Sequence, residues 1–122
     1  MIVSPQILLE VRTSATVAPN TRLLWNSFNF DCLESSGVQT HVIEDSTTDF
    51  LIWDGAFKGK FLLVAASDVI SIKLNSIANT AITGEFFMLT SDDVTGITKV
   101  YVTNALTDDV TLTFYVSGNV VV

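Results

Sequence analysis

The 122-residue sequence has few residues of the kinds on which several common protein classes depend. Cys32 is the only cysteine, so no internal disulfide can form, and a disulfide-stapled secreted scaffold is excluded. Six Lys and Arg face thirteen Asp and Glu, and the basic residues form no cluster. Because affinity for nucleic acid comes mostly from neutralising phosphates with Lys and Arg, we expect no direct nucleic-acid binding.

Long apolar runs are missing too, although 48% of the residues are hydrophobic and the mean hydropathy is +0.48. The longest wholly apolar run is Phe61 to Ala66, whereas a transmembrane helix needs about 20 predominantly apolar residues. The first residues lack the basic and apolar regions of a signal peptide. We therefore expect a soluble chain, made inside a cell, that does not bind membranes and whose apolar excess is covered by other protein.

The residues that are abundant favour β-strands. The chain contains 15 Val, 15 Thr and 9 Ile, all β-branched and favoured on a pleated surface. Glu, Lys, Gln and Arg, which usually fill the solvent face of a helix, total only twelve. This composition is too poor in helix-surface residues for several amphipathic helices, so strands must form the fold.

Alternation of apolar and polar residues locates many of the strands. It is clearest from Val110 to Val116, and it recurs at 98–103, at 70–74 and in the stretch that begins at Arg22. Less regular apolar stretches predict strands at 7–12, 38–43, 50–53, 60–66 and 82–90. The runs 61–66 and 86–89 are expected to be buried on both faces, one of which could be a subunit contact. Asp54-Gly55 and Gly59 are predicted to bracket a short hairpin.

These segments predict one all-β domain over residues 1–122, with about eight or nine short strands. Without crossover helices, we expect an antiparallel β-sandwich of jelly-roll-like topology, whose strand order the pattern leaves open. Segments 1–6 and 119–122 are candidate apolar arms, and their candidate oligomer or partner contacts are Ile2, Val3, Val120, Val121 and Val122. An arm would add a strand to a neighbouring subunit; alternatively, both termini complete the domain's own sheets.

Candidate catalytic and metal-binding residues are few. His41 is the only histidine, and with Cys32 alone it cannot supply a typical zinc site. The two could form a nucleophile–base pair, but the supporting groups of a catalytic site are missing. Asp92-Asp93 and Asp108-Asp109 lack the spacing of a calcium loop and are expected to be solvated turn residues, although ion binding there stays open. We expect no enzyme activity, metal or cofactor.

Aromatic residues are the strongest candidates for a binding surface other than the termini. Trp25, Trp53, Tyr101 and Tyr115 could present flat ring faces to sugars or to a partner chain. We expect Tyr101 and Tyr115 to point outward from the last two long strands, which could be neighbours. Coverage of a core edge or a subunit contact is the more common role of such residues.

Three C-terminal segments, Glu85–Leu89, Thr98–Asn104 and Phe114–Asn119, resemble the closing strands of small tailed-phage virion proteins. Capsid decoration proteins and head or tail fibre modules share this Thr/Val/Asn-rich, lysine-sparse style. The resemblance implies a homo-oligomer, often a trimer, seated on a capsid or tail protein lattice after assembly in the host cytoplasm, with no cofactor. It carries over no functional residue.

The leading hypothesis is a non-enzymatic virion structural protein that stabilises or decorates the particle. The alternatives are a carbohydrate- or receptor-binding β-sandwich module that uses surface aromatics, and an unusual hydrolase that depends on Cys32.

Overall fold

The fold is all-β and antiparallel, as the β-branched composition predicts. The computed structural model describes residues 6–12, 22–29, 32, 34–91 and 96–120, and no helix occurs within these ranges. Its strands are β1 (Gln6–Arg12), β2 (Arg22–Asn29), β3 (Glu34–Ser35), β4 (Gln39–Ile43), β5 (Thr47–Leu74), β6 (Ile82–Thr90), β7 (Ile97–Asn104) and β8 (Val110–Val120). β3 to β8 form one hydrogen-bonded sheet, and β1 pairs with β2 in a separate ladder.

Strand β5, 28 residues long, organises the larger sheet. Its first segment (47–54) pairs with β7, its middle segment (57–66) pairs with β8, and its last segment (71–74) returns to β7. Along its other edge, β6 pairs with residues 61–72 across a bulge. β3 and β4 pair with the far edge of β8. Because β5 pairs first with β7, then with β8 and then again with β7, the sheet must curl around its own inner face.

This arrangement corrects part of the predicted topology. Two separate sandwich sheets with a jelly-roll order are not confirmed, because hydrogen bonds join β3 to β8 in one curled sheet. The count of eight or nine short strands is not confirmed either, since β5 replaces three of them. The predicted hairpin at 54–59 is wrong: β5 continues through these residues. The glycines there relieve crowding and do not form a turn.

Gly59 and Gly118 allow β5 to pass close to both β7 and β8. They are register partners, and Gly59 also pairs with Ile97. A Cβ atom on Gly59 would lie 2.8 Å from a Val116 methyl group, and one on Gly118 would overlap the Lys58 carbonyl oxygen. Because real Cβ contacts are longer than this, side chains at either position would force the strands apart.

The core fills the inside of the curled sheet, and the period-two prediction for its strands is confirmed. The alternating residues predicted inward on β8 and β7 are fully buried; on β5, Ile70 and Ile72 are buried, whereas Leu74 is partly buried. Trp53 on the first segment reaches Phe114 on β8, with ring centroids 6.4 Å apart. The main buried side chains are Ile43, Leu62, Val64, Ile70, Ile72, Val100, Val102, Val110, Leu112, Phe114 and Val116. Each such side chain contributes about 1.5–3 kcal/mol through its removal from water.

Asn104 ties the loops at one end of the sheet together. It is fully buried, and its side-chain nitrogen donates to the carbonyl oxygens of Ile43, Glu44 and Asp108 at 3.1, 3.2 and 2.9 Å. Its side-chain oxygen accepts from the Leu106 backbone N–H at 3.0 Å. One amide therefore links the β4–β5 connection to the β7–β8 loop.

A second polar cluster links the first and last segments of β5 across β7. The Lys73 ammonium lies 3.2 Å from the Asp49 carboxylate, and both side chains are about three-quarters buried. The Thr103 hydroxyl donates to the same carboxylate at 3.3 Å and accepts from the Asp49 backbone N–H at 2.9 Å. Asp49 has a φ of 49°, and these bonds compensate for its left-handed backbone.

The predicted terminal arms are described only in part. Asn119 and Val120 pair with Lys58 and Phe57 of the chain's own β5. Ile2, Val3, Val121 and Val122 lie outside the described residues, so the donated-arm hypothesis stays a prediction. The single-domain organisation also stays a prediction, because the ladder between β1 and β2 is separate from the sheet of β3 to β8.

We expect Asn104→Ala to lower the free energy of unfolding by about 2–4 kcal/mol, because it leaves several backbone groups without their hydrogen-bond partner. Urea denaturation measures the loss. Asn79→Ala is the matched control: Asn79 is exposed, and its side chain donates one bond, to the Leu74 carbonyl oxygen at 2.7 Å. It should lose less than about 1 kcal/mol. Equal losses in the two variants would contradict the structural role of Asn104.

Candidate interaction surface

Strand β6 is an edge strand in the part of the chain that the structure describes. It pairs with β5 from Phe61 to Ile72, and no described strand pairs with its other side. On that side, alternate residues direct their backbone N–H and C=O groups away from the sheet. β6 therefore offers a nine-residue template to which another strand can add.

The side chains of β6 alternate between the core and solvent. Phe87 is buried, whereas Phe86 is 61% exposed, Met88 is 42% exposed and Ile82 is 41% exposed. We call the last three residues the β6 surface. Within one chain, no described element covers the outer face of 86–89, so burial of this run on both faces depends on a subunit contact and stays a prediction. Large apolar side chains beside a free strand edge are typical of an interaction site.

The apolar character continues from the β6 surface across the outer face of the sheet. In register, Met88 lies beside Leu63 of β5, which lies beside Tyr115 of β8. Leu63 and Tyr115 are half-buried, and the Tyr115 ring centroid lies 6.2 Å from that of Phe61. The exposed edge is thus continuous with a row of apolar side chains over three strands.

Strand β6 has few of the features that usually prevent edge-to-edge pairing. Proteins protect such edges with lysine, proline, bulges or very short strands. β6 has the sequence Ile-Thr-Gly-Glu-Phe-Phe-Met-Leu-Thr, in which Glu85 is the only charged residue. The bulge in its ladder lies on β5, between Ala65 and Ile70, and not on β6. The free edge is therefore both apolar and open.

A cleft lies between β4 and the first segment of β5. It has a volume of about 220 Å³ and is lined by Val42, Ile43, Glu44, Thr47 and Phe50. Ligand pockets usually measure about 300–1,000 Å³, so this cleft is small for an organic ligand. Its lining is mostly apolar and offers one carboxylate. No group of three or more His, Cys, Asp or Glu suited to a metal occurs among the described residues.

The structure does not bring Cys32 and His41 together. His41 pairs with Leu112, whereas Glu34, two residues from Cys32, pairs with Gly118 at the other part of β8. These two β8 positions are about 20 Å apart along the strand. The His41 ring bonds to the Gln39 side chain at 2.9 Å and packs edge-on against Phe114, so it behaves as a strand histidine.

The predicted acidic loops differ in what the structure describes. Asp92 and Asp93 lie outside the described residues. Asp108 and Asp109 are exposed, and the Asp109 carboxylate accepts from the Asp45 backbone N–H at 3.0 Å. Asp109 thus stabilises the contact between two loops, as turn aspartates commonly do.

The four predicted surface aromatics do not share one face. Trp53 is 9% exposed and packs against Phe57, with ring centroids 5.1 Å apart. Tyr101, half-buried on β7, pairs in register with Leu51 and Lys73, and β5 separates it from Tyr115 on β8. β7 and β8 are therefore not neighbours in the sheet. Trp25 lies on β2 in register with Glu10, and its side chain lies outside the described residues.

We expect Cys32 to react with a thiol reagent at least about tenfold more slowly in the folded chain than in urea, because burial blocks access to the thiol. Cys32 is 1% exposed. Ellman's reagent, followed by absorbance, measures both rates. Equal rates would show an accessible thiol and would favour the hydrolase hypothesis again.

Sequence interpretation missed the β6 surface as an exposed site, because an apolar run does not show whether another element covers it. The absence of proline and the presence of a single charged residue, Glu85, in 82–90 were the available signals. No helix in the described residues is long and apolar enough to span a membrane. No protein-family model, curated protein or solved structure matches this chain, so the resemblance to virion proteins stays a prediction.

Proposed function

We propose that this chain is a non-enzymatic structural protein whose copies assemble through the β6 surface. The observation that carries the proposal is an open nine-residue strand edge flanked by exposed Ile82, Phe86 and Met88. Pairing this edge would satisfy its free backbone groups and remove the apolar side chains from water at once. Each large side chain that becomes fully buried contributes about 1.5–3 kcal/mol.

The particle that we propose is a phage virion, in which the chain is a capsid decoration protein or a head or tail component. This step is supported by the resemblance of segments 85–89, 98–104 and 114–119 to virion proteins. The composition supports it too: 16% charged residues is low for a lone domain, for which about a quarter is usual. A subunit covered by its neighbours has less need for a charged surface.

A two-layer, jelly-roll-like arrangement belongs to the same proposal. β8 and the middle segment of β5 supply side chains to one side of the core, and β7 and the first segment supply the other. The contact between the Trp53 and Phe114 rings spans that core. The curled sheet would thus act as two stacked layers joined through β5.

The alternative function, carbohydrate or receptor binding, depends on the half-buried Tyr101 and Tyr115 among the described aromatics. Stacking on a sugar needs an accessible ring face, which the 9% exposed Trp53 does not offer. If the alternative holds, a glycan array gives hits that Tyr101→Ala or Tyr115→Ala removes. An array without hits for the wild-type chain contradicts it.

We expect the double substitution Phe86→Lys with Met88→Lys to dissociate the assembly, because two charges would be desolvated at the contact. The apparent dissociation constant should rise at least about 100-fold. Size-exclusion chromatography with light scattering at micromolar concentration measures the mass, which should fall from a multiple of 13.3 kDa to 13.3 kDa.

Val42→Lys is the matched control, because Val42 is also 61% exposed but lies at the opposite edge of the sheet, on β4. It should keep the wild-type mass. A wild-type chain that is monomeric at every concentration would contradict the proposed function. Dissociation by Val42→Lys alone would move the contact to β4.

A further inference from the structure

The geometry of β6 points to a specific partner: we propose that β6 pairs antiparallel with β6 of a second copy about a two-fold axis at Phe86. The two curled sheets would then form one continuous sheet across the dimer. This inference rests on the proposed assembly function and adds to it the partner strand, the symmetry and the register.

Strand geometry restricts where such an axis can lie. In an antiparallel ladder, residues opposite each other point their side chains to the same face. Side chains of β6 alternate between faces, so a residue can pair only with one an even number of positions away. A two-fold axis perpendicular to the sheet must therefore lie midway between the two copies of one residue. It cannot lie at the level of the bond between two successive residues.

Among these positions, Phe86 is favoured by length and by charge. Phe86 is the midpoint of β6, so an axis there pairs all nine residues. Ile82 lies opposite Thr90 of the second copy at one end, and Thr90 lies opposite Ile82 of the second copy at the other end. An axis at any other residue leaves part of β6 without a partner. An axis at Glu85 would also place two carboxylates directly opposite each other, which is destabilising.

The register at Phe86 produces complementary side-chain pairs. The two Phe86 rings lie side by side at the axis, and cross-strand aromatic pairs contribute roughly 0.2–1 kcal/mol beyond an alanine pair. Met88 lies opposite Gly84 of the second copy, where the lack of a side chain leaves space. A Cβ on Gly84 would meet only the Phe87 ring, at an ordinary contact distance of 3.6 Å. Glu85 lies opposite Phe87 and not opposite the second Glu85.

A second copy suits this edge better than an unrelated strand because the surface is self-complementary. In an isologous contact, residue i meets residue j and residue j meets residue i. Here the largest exposed side chain of β6 falls on the axis, and the next largest falls opposite a glycine. The two strands together bring only two charged side chains, which matters because each chain carries a net charge of −7.

Disulfide cross-linking of single-cysteine substitutions tests the register. At the proposed axis, the two Cα atoms of residue 86 would be about 4.5–5.5 Å apart, inside the range for a disulfide. The two residues 88 would be four positions apart along the strands, about 13 Å, outside that range. Cys32 is buried and can stay in all variants.

We expect the Phe86→Cys variant to form a disulfide dimer under mild oxidation at least about tenfold faster than the Met88→Cys variant. An equal mixture of Gly84→Cys and Met88→Cys chains should cross-link, whereas neither chain should do so alone. The mixture keeps Phe86 in place, so it tests the register even where Phe86→Cys weakens folding. Non-reducing electrophoresis measures the products, and light scattering gives the wild-type mass.

The outcomes separate the register from the proposed function. A 26–27 kDa dimer, twice 13.3 kDa, with both expected cross-links supports the two-fold pairing. A trimer, as the virion resemblance implies, or a dimer without these cross-links overturns the pairing and leaves the assembly function standing. A monomer without cross-links overturns both, and then a segment of the same chain or a different protein covers β6.

Discussion

The structure depends on one strand that takes part in both sides of its own core. β5 can leave β7, join β8 and return to β7 only where the backbones approach closely, and Gly59 and Gly118 permit that approach. Without the crossing, the sheet would stay open, and the side chains of β7 and β8 would not meet around one interior. The Asp49–Lys73 pair then holds the two ends of β5 on either side of β7.

The sequence predicted the structure correctly where a residue's neighbours along the chain decide whether its side chain faces the core. Alternation in 110–116 and 98–103 identified the inward residues, because the strand period alone assigns faces. It failed at 54–59, where an Asp-Gly pair favours a hairpin locally but contacts from residues some forty to sixty positions later require a continuous strand. Asn104 was also missed, because its partners come from two separate connections, one of them about sixty residues earlier in the chain.

The candidate surface shows the same difference between what the local sequence predicts and what only the fold determines. The apolar run at 86–89 was visible in the sequence, but its exposure depends on which elements lie above it, and only the folded chain supplies that information. The exposed Phe86 and Met88 place part of the apolar excess at β6. A net charge of −7 opposes random association of copies, whereas an open edge nearly free of charge permits association at one place.

The pairing of β5 with β8 has a consequence for synthesis. Residues 57–66 find their partners on β8 only at 112–120, so this ladder cannot form until Val120 has left the ribosome. Non-local pairing of this kind makes folding slow, and an open edge is vulnerable to aggregation while it waits. The edge of Phe61 to Ala66 that faces β8 therefore stays unpaired for nearly the whole time between its own translation and that of β8, although residues 61–65 can pair with 86–90 of β6 once those are made. A chaperone that holds this segment during translation would protect the chain at its most vulnerable stage.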